Sequence, residues 1–169
     1  MAWPWHKKRI EAYQNIAYRT GWIFEEKPEN TSLHASLKHF KLFKLGSKKS
    51  IKFILTSKTN NGDPAKVFEY DYVISTGKSS AQIIQHVCCI WARPEVGLPI
   101  FALKPQNALH TIGKWFGIQD IEFNNFDQFN KNYIVKAPNP EGVKEFITND
   151  ILGFLSYEKG WIIESDGKC

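Results

Sequence analysis

Two acidic side chains in the segment IQDIEF are the residues best placed to do chemistry. If this segment is a β-strand, Asp120 and Glu122 project from one face, because successive side chains of a strand alternate. Two such carboxylates can hold a divalent cation or act as acid and base, provided that Asp127, His110 or Glu69 converges on them. The same alternation also produces ordinary solvent-facing acids on a half-buried strand, and that interpretation is favoured.

Other catalytic signatures are absent from the sequence. It contains no GxSxG, HExxH, GxxxxGK[ST] or GxGxxG motif and no CxxC pair. Cys88 and Cys89 lie in a hydrophobic stretch, which predicts buried, unreactive thiols in a reducing compartment. The five histidines do not have the spacing of a metal site; they are His6, His34, His39, His86 and His110. We therefore predict no cofactor, and a non-enzymatic protein is favoured over an enzyme.

The positive charge is unevenly distributed along the chain. Residues 1–118 carry 17 Lys and Arg against 8 acids, whereas residues 119–169 carry 5 against 9. Seven lysines fall in one acid-free run: Lys38, Lys41, Lys44, Lys48, Lys49, Lys52 and Lys58. Such a run can meet nucleic acid or an acidic partner. Without arginines or stacking aromatics it is more typical of a solvated surface, so nucleic acid is an unlikely partner.

The first nine residues combine two tryptophans with three cations. This combination resembles a membrane-interface pattern. It forms a candidate contact surface for an anionic membrane or a protein partner, made of Trp3, Trp5, Lys7, Lys8 and Arg9. The alternative is a surface helix whose tryptophans pack on the core, and it is favoured. The longest largely apolar window, residues 83–92, is too short to span a bilayer, and the start lacks a signal-peptide core.

Apolar periodicity predicts the elements of the first two thirds of the chain. A helix is expected over about residues 5–20, ended by Gly21, and a second one after Pro28 carries Leu33, Leu37 and Phe40. Four strands follow, over residues 51–56, 67–73, 82–91 and 98–103, and their short connections predict an antiparallel meander. The third is apolar on both sides, which predicts a position in the sheet centre.

The remaining third mixes short strands with helices. A short helix is expected over residues 105–116, a strand over 118–123, an Asn-rich loop over 124–132 and a strand over 133–136. Asn139 and Pro140 begin a helix that Asn149 divides in two. A last strand over residues 161–164 enters an Asp166-Gly167 turn with no returning partner, which predicts either a natural end at a sheet edge or a truncated reading frame.

These elements predict an α+β fold in which N-terminal and C-terminal helices cover an antiparallel meander sheet. The expected organisation is a single domain over residues 1–169. It comprises a helical arm (1–21), a helix plus the sheet core (22–136), and a C-terminal helix with a closing strand (137–169).

Five segments carry a family resemblance: 67–72 (VFEYDY), 85–87 (QHV), 98–105 (LPIFALKP), 120–123 (DIEF) and 129–133 (FNKNY). In this order they resemble the motifs FDY.Y, LP.F.L.PE, DI.F and F...Y.L of an uncharacterised bacterial domain family, which continues with a helix bearing an LF pair and a closing EG.G hairpin. The resemblance covers residues 10–167 and implies a shared fold without an established activity. Members often carry a preceding transmembrane segment. This chain departs from the pattern at Gln106, where the family has Glu, and in the missing last strand of the hairpin.

The favoured function is a non-enzymatic interaction or sensory module of bacterial origin, cytoplasmic and at or near the inner membrane face. One alternative is a metal-dependent, phosphoester hydrolase-like enzyme that uses Asp120 and Glu122. The other is nucleic-acid binding through residues 38–58. The sequence specifies neither the partner nor the oligomeric state.

Overall fold

A computed structural model describes residues 4–28, 31–108 and 120–169. The fold is α+β, with helices and antiparallel sheets, as the sequence predicts. Contacts divide the chain into two compact units, Met1–Trp91 and Ala92–Cys169. The single domain expected over residues 1–169 stays a prediction.

The first unit contains a four-stranded antiparallel meander with the order β1-β2-β3-β4. Its strands are β1 (Ile23–Glu25), β2 (Ser47–Lys58), β3 (Pro64–Thr76) and β4 (Ser79–Ile90). The two central strands, β2 and β3, bury the side chains of their middle residues. Gly62, in the Asn-Gly turn between β2 and β3, has a φ of 86°, which glycine adopts without steric cost.

Helices cover both faces of this meander. Helix α1 (Pro4–Thr20) packs Tyr13 against Phe53 of β2, with ring centroids 5.3 Å apart. Helix α2 (Thr31–Leu37) and a 3-10 turn (Leu42–Lys44) lie on the opposite face, where Phe43 contacts Tyr70 at 4.6 Å. A β-bulge in β2, where Phe53 has a φ of 53°, accompanies the orientation of this fully buried ring toward α1.

The aromatic side chains of β3 form the core beneath α2. Phe68, Tyr70 and Tyr72 are buried on one face, as their alternate spacing predicts. Burial raises the pKa of Tyr70 to about 12, and the nearby Tyr72 adds to this effect.

Two predictions about the meander are wrong. Strand β4 lies at the edge of the sheet and not in its centre. It is apolar on both sides, but α1 packs over β1 and β2 and leaves the same face of β4 open. The segment expected as the fourth meander strand belongs to a second sheet, where it finds neighbours on both sides.

The second unit contains that other antiparallel sheet, with the order β6-β7-β5-β8. Its strands are β5 (Ile100–Pro105), β6 (Asp120–Ile121), β7 (Tyr133–Lys136) and β8 (Ile163–Asp166). Leu103 and Val135 are opposite each other on the central strands and are both buried. The predicted closing strand is present at the sheet edge, but it covers Ile163–Asp166 and not residues 161–164.

Three short helices pack against this sheet: α3 (Asp127–Asn132), α4 (Pro140–Phe146) and α5 (Asn149–Tyr157). Asn139 caps α4 by accepting a hydrogen bond from the Gly142 amide at 3.3 Å, and Asn149 begins the second of the two predicted C-terminal helices. The expected Asn-rich loop is wrong, because burial of Phe129 favours a helical turn there. The helix expected over residues 105–116 lies mostly outside the described residues, although Gln106–Ala108 form a 3-10 turn.

Candidate functional site

The predicted acidic pair lies at an exposed end of the second sheet. Asp120 is opposite Lys136 in the β6–β7 register, and the Lys136 Nζ lies 3.0 Å from its Oδ1. Glu122 is also exposed, as the alternation predicts, and Asp127 lies in the first turn of α3. His110 lies outside the described residues. In the part of the chain that the structure describes, no three His, Cys, Asp or Glu side chains converge on a metal position, so the metal-dependent alternative stays a prediction.

The predicted N-terminal contact surface divides between solvent and core. Lys7 and Lys8 are exposed, whereas Arg9 turns toward the sheet. Trp3 lies outside the described residues, as does the Trp5 side chain. Within the described ranges, no helix is long and apolar enough to cross a membrane. Contact with an anionic membrane stays a prediction.

The lysine-rich run does not form one continuous surface. Lys52 Nζ donates to Asp71 at 2.6 Å and Lys49 Nζ donates to the Phe43 carbonyl at 2.8 Å, so these two lysines serve contacts within the chain. Lys38, Lys44, Lys48 and Lys58 are exposed. Nucleic-acid binding stays a prediction.

The principal polar cluster of the first unit is an ion-pair network beneath α1 that sequence reasoning missed. Glu69 on β3 is 2% exposed, and Arg9 binds it with two nitrogens, with Nε donating to Oε1 at 3.3 Å. The Arg9 guanidinium also lies 5.1 Å from the centre of the Phe53 ring. His86 Nε2, on β4, lies 3.6 Å from Glu69 Oε1. Helix, bulge and strand therefore meet at one buried carboxylate.

Asp71, two residues further along β3, forms the second half of the network. It is 3% exposed, and its Oδ2 accepts hydrogen bonds from Lys52 Nζ and, at 3.4 Å, from Gln82 Nε2. Each of the two buried acids therefore forms an ion pair with one basic side chain, Glu69 with Arg9 and Asp71 with Lys52. Burial raises the pKa of the nearby Tyr13 phenol, an effect that the positive charge of Arg9 opposes. The Arg9–Glu69 pair thus joins α1 to β3, whereas Asp71 joins β3 to the neighbouring strands β2 and β4.

The sequence held only a partial signal for this network. Glu69 and Asp71 alternate with three buried aromatic residues, which assigns the acids to the opposite face of β3. That face is solvated in a two-layer fold, but here α1 covers part of it. The partner Arg9 is 60 residues away in sequence, so spacing alone does not identify it.

Strand β4 borders this network and presents a different kind of site. Its side chains on the α1-facing side are exposed, with Ile84 at 40% and Ile90 at 44%, and Cys88 and His86 lie between them. Cys89, on the opposite side, is buried. The prediction that both adjacent cysteines are buried is therefore wrong for Cys88, because the side of β4 that bears it is uncovered.

The outer edge of β4 has no neighbouring strand among the described residues. In an antiparallel sheet, every second residue of an edge strand directs its N–H and C=O groups outward. Strand β4 is twelve residues long and contains no Lys, Arg, Asp, Glu or Pro. It therefore combines a long row of backbone hydrogen-bonding groups with exposed apolar side chains.

No family model matches the sequence, and comparisons with curated proteins and with solved structures find no significant similarity. The resemblance to a bacterial domain family stays a prediction.

Proposed function

We propose that this chain is a non-enzymatic interaction module that binds an extended segment of a partner protein along the outer edge of β4. The partner segment adds a fifth strand to the meander, and its backbone pairs with the outward N–H and C=O groups of β4. Strand addition of this kind takes its affinity from main-chain hydrogen bonds and its specificity from alternate side chains.

The observation that carries the proposal is the contrast between the two edges of the meander. Edge strand β1 has three residues and includes Glu25, and a short, charged edge resists further pairing. Edge strand β4 has twelve residues and contains no Lys, Arg, Asp, Glu or Pro. Natural sheets protect long edges with such residues, so an edge without them is expected to be covered when the protein works.

Exposed side chains beside this edge supply anchors for the partner. Ile84, Cys88 and Ile90 occupy alternate positions on the α1-facing side of β4, with His86 between the first two. An added strand places its own alternate side chains directly against them, within 4.5–5.5 Å between Cβ atoms in general. The ion pairs of Glu69 and Asp71 connect the supporting strand β3 to α1 and β2. A platform that is already ordered before binding lowers the entropic cost of association.

Selected peptides and adjacent proline substitutions test the proposal. Phage-displayed random peptides selected on the full chain are expected to be extended and to alternate apolar with polar residues. Ile84→Pro and Gln85→Pro serve as a matched pair, because adjacent residues direct their amides to opposite sides of the strand. One of the two prolines removes a backbone hydrogen bond between β4 and β3 and lowers the melting temperature. The other removes only a backbone N–H group on the outer edge of β4.

The outward-facing proline variant is expected to keep a melting temperature near that of the wild type and to lose peptide binding. Fluorescence anisotropy of a labelled selected peptide measures that loss. Undiminished binding to the folded proline variant would place the peptide site elsewhere and overturn the proposal.

A further inference from the structure

The composition of β4 indicates what kind of strand it can accept. The chain carries 22 Lys and Arg against 17 acids, yet Ser79–Ile90 contains none of either type. A second copy of this strand can therefore lie beside the first without placing like charges opposite each other, which is the contact that destabilises cross-strand pairs. Each of the other described strands carries at least one Lys, Asp or Glu, and β2 carries four lysines.

The order of side chains along β4 favours one self-pairing register. When Val87 lies opposite Val87 of the second copy, Ile84 lies opposite Ile90, and Cys88 lies opposite His86. The exposed isoleucines of each copy then cover each other twice. A register centred nearer the middle of the strand places Ser79 or Ser80 opposite apolar residues of the other end, which matches the surfaces less well.

Helix α1 does not cover the exposed isoleucines of β4. A two-fold axis perpendicular to the sheet pairs two edge strands antiparallel and keeps both α1 helices on the same face. Ile84 and Ile90 are 40% and 44% exposed on that face, so α1 does not cover the strand that the second copy approaches. The product is one continuous eight-stranded antiparallel sheet.

Resting on the proposed function, we infer that the strand bound by β4 is β4 of a second copy of this chain, antiparallel and centred on Val87. The contact is isologous, because the same surface serves both partners. Pairing covers the outward backbone groups and the exposed isoleucines together. The dimer forms reversibly through a narrow interface, since only one strand from each copy contributes.

Charge substitutions at the two isoleucines test both the partner and the register. Ile84→Lys with Ile90→Lys places lysines opposite each other twice, and this variant is expected to self-associate at least about tenfold more weakly than the wild type. Ile84→Lys with Ile90→Glu places opposite charges at the same contacts and is expected to regain most of the affinity. Both positions are exposed, so the fold tolerates these changes. Ile23→Lys, at an exposed isoleucine on the other edge of the sheet, is the matched control and leaves association unchanged.

Sedimentation velocity over a wide concentration range, under reducing conditions, measures the association of the full chain. A wild type that stays monomeric while selected peptides still bind β4 overturns the second copy and leaves the proposed function standing. Loss of peptide binding to β4 as well removes both. A dimer that responds equally to the two charge patterns also overturns the inference, because it must use another surface.

Discussion

Arg9→Met is expected to lower the free energy of unfolding of the full chain by about 3 kcal/mol, the scale for removing one partner of a buried ion pair. The substitution retains much of the apolar stem but leaves Glu69, which is 2% exposed, without its two-nitrogen contact. His86 remains 3.6 Å away, at a position that is 71% exposed, and offers only weak compensation. Urea denaturation followed by circular dichroism measures the change.

Two further variants separate the ion pair from the charge. Lys7→Met removes a cation from the same helix at a side chain that is 78% exposed, and its effect is expected to stay within about 0.5 kcal/mol. Arg9→Met combined with Glu69→Leu removes both charges and is expected to recover most of the stability, because no buried charge is left alone. Equal stability of the Arg9 and Lys7 variants would show that α1 is not held by this pair.

Gly46→Ala is expected to destabilise the chain by about 3 kcal/mol, from backbone strain together with overpacking. Gly46 has a φ of 60°, a backbone conformation that residues with a side chain rarely adopt. A Cβ at this position would lie 2.5 Å from the Val73 carbonyl oxygen and 2.7 Å from Cδ2 of the Tyr72 ring. The backbone of β3 must therefore move at the start of β2, where the meander is already irregular.

Gly62→Ala is the matched control for this prediction. Gly62 has a φ of 86°, but a Cβ there meets no atom within 4 Å. Its substitution is expected to cost only the conformational strain, about 1–2 kcal/mol. The difference between the two urea-derived free energies measures the steric part, and equal losses would contradict the close approach of β3 to Gly46.

Local pattern was sufficient to predict most helices and strands. The apolar spacing of Tyr13 and Ile10 indicated α1, and the Asn139-Pro140 pair indicated where α4 begins. These signals depend on neighbouring residues and so survive in the sequence alone. Alternation also predicts that Phe68, Tyr70 and Tyr72 share one face, and in the structure that face is buried.

The same local patterns do not predict which distant strands and side chains pair. The sequence predicts β4 as a strand but places it in the sheet centre, whereas it lies at the edge. Apolar residues on both sides of a strand show that its faces are apolar, but they do not show which elements pack on those faces. Strand β5 belongs to the second sheet because it pairs with β7 and β8, which follow much later in the chain. The pairing of Arg9 with Glu69 depends on the packing of α1 over the bulge at Phe53. The sequence therefore identifies the residues of the β4 edge but not their exposure to solvent.

Amide hydrogen exchange along β4 tests the central claim, an outer edge available to another strand, most directly. In a dilute solution of the chain, amide protection is predicted to alternate: the amides directed at β3 are protected, and the intervening amides exchange quickly. Raising the concentration, or adding a selected strand peptide, is predicted to slow the fast set and leave the protected set unchanged. Uniform protection of both sets in the dilute chain, or a fast set that neither treatment slows, would contradict it.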